Sequence, residues 1–137
     1  MSKFPSRLTS AGITPARYDE LRAICRQYRD YKRALALSRM GAEDRPDRRS
    51  SGAWHKPDPT GNAAIALADS LSARRVRQID LCLGRVAEPV VARALLSYVA
   101  DGRAYEYQRP TPPIGRNQFY VLAQLFYIEL DRVLTSG

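Results

Sequence analysis

Apolar side chains recur at helical spacing in the first half of the chain. Thr14-Pro15 combines an N-cap residue with a proline at the first helical position, and Gly41 stands where a left-handed cap would end a helix of about 26 residues. A second helix is expected to run to about Arg85. The apolar face of the first helix is Leu21, Ile24, Cys25, Tyr28, Tyr31 and Leu35, and that of the second is Ile65, Ala68, Val76, Ile79, Leu83 and Val86, with Ser72 among them.

The second half of the chain continues the same pattern. Glu88-Pro89 begins a third helix that Asp101-Gly102 ends, with Val90, Val91, Ala94, Leu95, Tyr98 and Val99 as its apolar set. A fourth helix over 116–134 has one apolar face of Phe119, Leu122, Ala123, Phe126, Leu130 and Val133. We therefore predict an all-α fold, a small bundle of about four helices with a long N-terminal helix and a C-terminal pair of helix-turn-helix type.

The fourth helix also has a second apolar face, made of Val121, Leu125 and Ile128. A surface helix would carry polar residues there, so either the rest of the fold wraps this helix or the second face meets another subunit. For a small chain with few helices we favour a subunit contact, and hence a homo-oligomer.

Two segments break the helical pattern. Residues 41–62 contain three prolines, three glycines and mixed charge, which predicts a flexible loop or linker within a single helical domain over 1–137. Trp54 is expected to fold back onto the core or onto a partner. Residues 103–115 contain Pro110, Pro112 and Pro113 and should be extended, apart from one short helix over 104–108.

Length and composition narrow the class of protein. The 137 residues, 45% of them hydrophobic and 26% charged, are typical of one soluble domain. No apolar run is long enough for a membrane span and the first ten residues do not resemble a secretory signal, so we expect a cytoplasmic protein with no membrane partner. Two distant cysteines, Cys25 and Cys82, and a single histidine support neither a metal site nor a disulfide framework, and no cofactor is expected.

The charge balance favours a polyanionic partner. The chain has 22 Lys/Arg and 14 Asp/Glu, a net charge of +8, of which the first 40 residues hold +6. Four arginines form a row opposite the apolar face of the first helix, namely Arg22, Arg26, Arg29 and Arg33, and the second helix adds Arg74 and Arg77. These six residues are candidates for phosphate contacts. The alternative is a solvated face neutralised by neighbouring acidic residues such as Asp19 and Asp30.

Candidate catalytic residues are few. His55 has no second histidine and no nucleophile motif beside it, and Glu43-Asp44 lies at the mixed-charge loop, where solvation explains it. There is no Gly-rich phosphate loop after a strand. We therefore expect a protein that is not an enzyme.

After the polar linker, which ends in DPTGNAAI, the chain carries a further pattern in its last third, made of Pro113, Gly115, Arg116, Phe119-Tyr120, Phe126-Tyr127 and Leu130-Asp131. These residues and the order of the elements resemble small phage-encoded late-gene transcriptional regulators of the ArpU and RinA type. The resemblance implies a sigma-factor-like helix-turn-helix in which the last helix approaches DNA through Arg116, Asn117, Gln118 and Tyr120. Such side chains can read guanine or adenine edges.

Three functions remain open at this stage. The first is a phage or prophage DNA-binding protein on duplex DNA, a transcriptional regulator with host transcription machinery as a further candidate partner. The second is a DNA-packaging adaptor resembling a small terminase subunit, in which the last helix builds a ring. The third is a helical protein-interaction module whose arginines serve only solubility.

Overall fold

The computed structural model describes residues 4–44 and 59–136, with side chains described over 4–38 and 71–136. The described residues form α-helices, one short 3-10 helix and no strand, which confirms the small all-α bundle. The helices are α1 (Ser6–Ser10), α2 (Pro15–Arg26), α3 (Tyr28–Asp44), α4 (Pro59–Val86), α5 (Pro89–Asp101), the 3-10 helix Tyr105–Tyr107 and α6 (Arg116–Ser136). Within the described ranges, no helix is both long and apolar enough to cross a bilayer.

The described chain divides into two compact units. The first unit comprises Met1–Tyr28 and Gln78–Gly137, and the second is Arg29–Arg77. The single domain over 1–137 therefore stays a prediction. Each unit is considered below by itself.

The core of the first unit is organised around α6. This helix packs against α1, α2, α5 and the 3-10 helix. Its buried side chains are Phe119, Ala123, Phe126, Tyr127 and Leu130, and the two longer helices packed against it bury Leu21 and Cys25 of α2 and Val91, Leu95 and Val99 of α5. Full burial of each large apolar side chain stabilises the fold by about 1.5–3 kcal/mol. The apolar faces predicted for these helices are confirmed, except that Val90 is 53% exposed.

The predicted long N-terminal helix is two helices, which corrects the expectation from the apolar stripe. Gln27 separates α2 from α3, and its N–H donates to the carbonyl oxygen of Ile24 rather than continuing the regular ladder. The Tyr28 hydroxyl donates to the Asp80 carboxylate of α4 at 2.8 Å and thereby fixes the start of α3. The spacing of apolar side chains is nearly the same on both sides of the break because only one residue, Gln27, lies outside the helices.

The predicted ends of the loop 41–62 also need correction. Helix α3 continues to Asp44, so Gly41 lies inside it and does not cap it, and α4 already begins at Pro59. The middle of the predicted loop, 45–58, lies outside the described residues, as do Trp54 and His55 within it.

Helix ends with clear capping residues are where the sequence predicts them. Thr14 accepts a hydrogen bond from the Arg17 N–H at 3.1 Å, and Glu88 accepts one from the Val91 N–H at 2.8 Å. Gly102 ends α5 with φ of 74°. The short helix expected over 104–108 is the single 3-10 turn Tyr105–Tyr107.

Helix α1 was not apparent in the pattern of apolar positions. It has only five residues, fewer than two turns, so no periodicity can be recognised in it. Its one buried side chain, Leu8, packs in the region where α1 meets α6. Tertiary contact therefore decides that this segment is helical.

Candidate nucleic-acid interface

The candidate interface of the first unit lies on the exposed side of α2. Leu21 and Cys25 place one side of this helix in the core, which leaves Arg22 and Arg26, one turn apart, on the exposed side. We group with them the exposed Arg103, which follows the Gly102 cap of α5, and call the three residues the α2 patch. Among the described residues, no carboxylate lies within ion-pair distance of any of the three guanidinium groups.

Arg22 is positioned by an aromatic ring. Its guanidinium carbon lies 5.5 Å from the centroid of the Tyr18 ring, in the range of a cation–π contact. Tyr18 itself makes edge contacts with Phe4 at 5.6 Å and with Tyr127 at 5.2 Å between ring centroids. Tyr18 thus packs between two other rings, and Arg22 lies over its ring.

Arg26 is positioned by the end of α5. A Cβ atom on Gly102 would lie 3.0 Å from Nη2 of Arg26 and 3.1 Å from its Cζ, so the guanidinium packs directly against the bare Cα of this glycine. The carbonyl groups at the C-terminus of a helix carry partial negative charge, which favours a cation at this place. Arg103 is the next residue of the chain, so its backbone adjoins the same point.

Both α2 arginines act on the same tyrosine hydroxyl. Burial raises the pKa of Tyr98, the neighbouring Tyr18 and Tyr120 hydroxyls raise it further, and Arg22 and Arg26 oppose the shift. The Tyr98 ring packs edge-on against Phe119 at 5.8 Å and Tyr120 at 5.3 Å. Arg22 and Arg26 therefore lie near a cluster of tyrosines whose rings pack against one another, so these rings help to form the core beneath the cations and are not free to stack on bases.

The remaining predicted phosphate-binding residues belong to the second unit. Arg33 pairs with Asp30 only at 3.5 Å, with both side chains 70% exposed, which is a weak ion pair. Arg74 and Arg77 of α4 are exposed and have no carboxylate partner among the described side chains. Arg29 is exposed and has an interaction within the chain. The segment 29–77 contains eleven Lys/Arg and six Asp/Glu, so it holds +5 of the net charge.

The four residues predicted for base reading fall into two groups, one bonded within the molecule and one exposed to solvent. Arg116 donates through Nε to Oε2 of Glu106 at 2.6 Å and its guanidinium carbon lies 5.2 Å from the Tyr120 ring centroid. The Tyr120 hydroxyl accepts from the Tyr105 N–H at 3.1 Å and donates to Oε1 of Glu106 at 3.3 Å. Asn117 and Gln118 are exposed. Of the four, two are engaged within the molecule and two point outward.

The Glu106 carboxylate is the centre of this network. Its hydrogen bond with Arg116 holds the pKa of Glu106 below its usual range, and the same contact raises the pKa of Arg116. The pair ties the first turn of α6 to the 3-10 helix. The contact uses only Nε of Arg116, so its two Nη groups keep their donors while the position of the guanidinium is held by Glu106.

The connection between α5 and α6 also departs from a tight helix-turn-helix. Residues 102–115 separate the two helices and include the 3-10 turn and the prolines. A helix-turn-helix joins its helices through three or four residues. In addition, α6 buries residues along its whole length, from Phe119 to Leu130, so it serves as the central core helix of the first unit.

The second apolar face of α6 is largely covered by the chain itself. Val121 and Ile128 are half-buried, and Leu125 is 38% exposed. The fold itself therefore covers most of this face. Of the two explanations for the second apolar face, covering by the same chain explains more of it than a subunit contact does. A subunit contact through Val121, Leu125 and Ile128 stays a prediction, with Leu125 as its most exposed member.

Catalytic and metal-binding groups do not cluster in the described part of the chain. No set of three His, Cys, Asp or Glu side chains within it is arranged to hold a metal ion. Burial raises the pKa of Cys25 to about 12 and that of Cys82 to about 11, so both thiols stay protonated at neutral pH and are poor nucleophiles.

Two features of the α2 patch were not predicted from the sequence. Arg103 was not among the candidate contacts, although it follows a recognisable helix end at Asp101-Gly102. The tyrosines near Arg22 come from α2, α5 and α6, which no local pattern brings together.

A scan of protein-family models, a search of curated proteins and a search of solved structures each found no match to this chain.

Proposed function

We propose that this protein binds duplex DNA through the phosphate backbone and that it acts on transcription in the manner of the phage late-gene regulators it resembles. The proposed activity is binding alone, without cleavage or modification of the DNA. The α2 patch supplies phosphate contacts in the first unit, and Arg33, Arg74 and Arg77 supply them in the second.

One contrast within the first unit carries this proposal. Arg17, Arg85, Arg116 and Arg132 each pair with a carboxylate, at distances between 2.6 and 3.4 Å. Arg22, Arg26 and Arg103 have no such partner among the described residues, and neither have Arg93 and Arg109. What distinguishes Arg22 and Arg26 is that they lie one turn apart on one helix and are held in place by Tyr18 and Gly102. Fixed guanidinium groups without a carboxylate partner are suited to an external anion.

The spacing of these groups favours an extended polyanion over a single small anion. Side chains four residues apart on a helix lie about 6 Å from each other, and duplex DNA presents phosphates in continuous rows. Phosphate contacts fix the position of a protein on DNA without reading its sequence. Base reading is proposed for the exposed Asn117 and Gln118 and for the Nη groups of Arg116, because the Tyr120 hydroxyl is engaged with Glu106.

The proposal is tested by the salt dependence of binding to a fluorescein-labelled duplex of random sequence, followed by fluorescence anisotropy. Six neutralised phosphates would give a slope of log affinity against log salt of about −5. The double variant Arg22→Gln/Arg26→Gln should make this slope less steep by about two units. The matched control Arg93→Gln/Arg109→Gln removes the same charge from exposed arginines elsewhere in the first unit and should leave the slope unchanged.

Two results would contradict the proposal. A wild-type slope within about one unit of zero would show that phosphates are not neutralised. Equal slopes for the two double variants would show that the α2 patch is not the site of contact. Far-UV circular dichroism of each variant establishes that it retains its helices before binding is compared.

The native mass distinguishes a regulator from a packaging adaptor. A dimer is suited to a regulator on a two-fold site, and a closed ring of many subunits to an adaptor. Because most of the second apolar face of α6 is covered within the chain, this face offers little surface for a closed ring, so we do not expect a particle of many subunits. Light scattering with and without duplex DNA measures this directly.

A further inference from the structure

A groove unrelated to the α2 patch runs between α5 and the proline segment 108–113. Its volume is about 180 Å³, and its walls include Val90, Arg93, Ser97, Arg109 and Pro113. Val90 is 53% exposed at the start of α5, although its neighbour Val91 is buried. This is the place where an apolar side chain expected in the core is left open to solvent.

The proline wall of the groove is anchored at both ends. The buried Gln108 side chain donates through Nε2 to the carbonyl oxygens of Ala94 at 2.9 Å and Arg103 at 3.2 Å, which ties the start of the segment to α5. At the other end, the Tyr105 hydroxyl donates to the carbonyl oxygen of Ile114 at 2.7 Å. The groove is therefore formed before any ligand arrives, which lowers the entropy cost of binding.

The charge of the groove is positive. Arg93 is exposed, and among the described residues neither Arg93 nor Arg109 has a carboxylate partner; Arg109 donates to the backbone carbonyl oxygens of Glu106 and Gln108. The two nearest acidic side chains along the chain are engaged elsewhere: Glu88 caps α5, and Glu106 binds Arg116. The groove thus offers two guanidinium groups that have no carboxylate partner in the part of the chain that the structure describes.

The size and lining of the groove define the ligand. Pockets for small molecules usually have volumes of about 300–1,000 Å³, so this groove has room for one anchoring side chain. Proline rings and Val90 favour an apolar anchor, whereas a phosphate backbone has no apolar group to bury there. Guanidinium groups bind carboxylates through paired hydrogen bonds.

We propose that this groove binds a short acidic segment of a partner protein, with one apolar side chain seated against Val90 and the prolines and with flanking carboxylates bound by Arg93 and Arg109. This site is separate from the proposed DNA contacts. It gives the protein a second attachment, to another protein, on a different set of residues.

The test uses a labelled seven-residue peptide with a central leucine flanked on each side by glutamates, in an anisotropy titration with the full-length protein. We expect saturable binding that weakens at least tenfold in Arg93→Gln/Arg109→Gln and in a peptide whose glutamates are replaced by glutamine. Val90→Ala, which leaves the proline segment untouched, should weaken binding as well. Arg22→Gln/Arg26→Gln should bind the peptide as the wild type does.

Each other outcome overturns the inference. Binding that is absent at millimolar peptide, or unchanged in the Arg93→Gln/Arg109→Gln and Val90→Ala variants, would show that the groove does not take the peptide. If Arg93→Gln/Arg109→Gln instead weakens DNA binding and duplex DNA displaces the peptide, the groove belongs to the nucleic-acid surface. Because the two double variants act on different ligands, failure of this inference is distinguishable from failure of DNA binding.

Discussion

Gly102 combines two requirements that only glycine meets at this position. Its φ of 74° is in the left-handed region, where a side chain costs about 1–2 kcal/mol. A Cβ atom would also approach the Arg26 guanidinium to 3.0 Å. The residue therefore ends α5 and leaves room for a member of the α2 patch.

We expect Gly102→Ala to lower the free energy of unfolding by about 1–2 kcal/mol because of the backbone strain. The guanidinium of Arg26 should also move, so DNA binding should weaken. Urea unfolding and the anisotropy titration measure the two effects.

Gly84 provides the matched control. It lies inside α4, and a Cβ there meets nothing within 4 Å. Gly84→Ala should stabilise the protein by about 0.5 kcal/mol, because alanine loses less backbone entropy in a helix. If both alanine variants change stability in the same direction, the left-handed cap does not explain the role of Gly102.

At the scale of elements, α2 links the core to the candidate interface. Its inner side buries Leu21 and Cys25, and its outer side carries Arg22 and Arg26. Its first turn is held by the Thr14 cap. Arg17, in the same turn, donates through Nε to the Asp131 carboxylate of α6 at 2.6 Å. The helix is thus fixed locally and against α6 before the patch begins.

We expect Thr14→Ala to destabilise the protein by about 1 kcal/mol, since the N–H of Arg17 loses its acceptor. Thr14→Ser keeps a hydroxyl at the cap and should stay close to wild type. The midpoints of urea unfolding of the two variants test this. A serine variant as unstable as the alanine variant would mean that the threonine methyl group, and not the cap, is responsible.

At the scale of the whole molecule, two buried thiols couple stability to pH. Cys25 and Cys82 are fully buried in the first unit, which raises their pKa values to about 12 and about 11. In the unfolded chain a thiol ionises near pH 8.5. Above that pH the unfolded state loses thiol protons that the folded state retains, so the free energy of unfolding falls as pH rises.

We expect stability to begin to fall near pH 8.5 and, once the unfolded thiols are largely ionised, to decrease by about 1.4 kcal/mol per pH unit for each thiol up to its folded-state pKa. Urea unfolding in half-unit steps between pH 7 and pH 9.5 measures the slope, and the difference between wild type and Cys25→Ala separates the Cys25 thiol from the tyrosines, whose unfolded-state pKa is about 10. Cys25→Ala should make the slope less steep, whatever its effect on stability at neutral pH. An unchanged slope in this variant would show that the Cys25 thiol is not the source.

The periodic elements were predictable from the sequence. The bounds of α5 follow from Glu88-Pro89 and Asp101-Gly102, and the buried face of α6 from its apolar spacing, because capping and amphipathic periodicity are local properties of the chain. The excess of positive charge is likewise a property of composition. Local reasoning therefore determined the fold class and the candidate arginines of α2.

Tertiary structure decided which of those arginines face outward without a counter-charge. Arg116 and Arg22 are alike in the sequence, but Glu106 neutralises the first, while the ring of Tyr18 supports the second and leaves its charge available. The break at Gln27 was likewise not visible in the apolar stripe, and the Tyr28–Asp80 contact joins residues 52 positions apart. The environment of each charged side chain depends on side chains from distant parts of the sequence. The residue pattern within one helix does not determine which of them will pack against it.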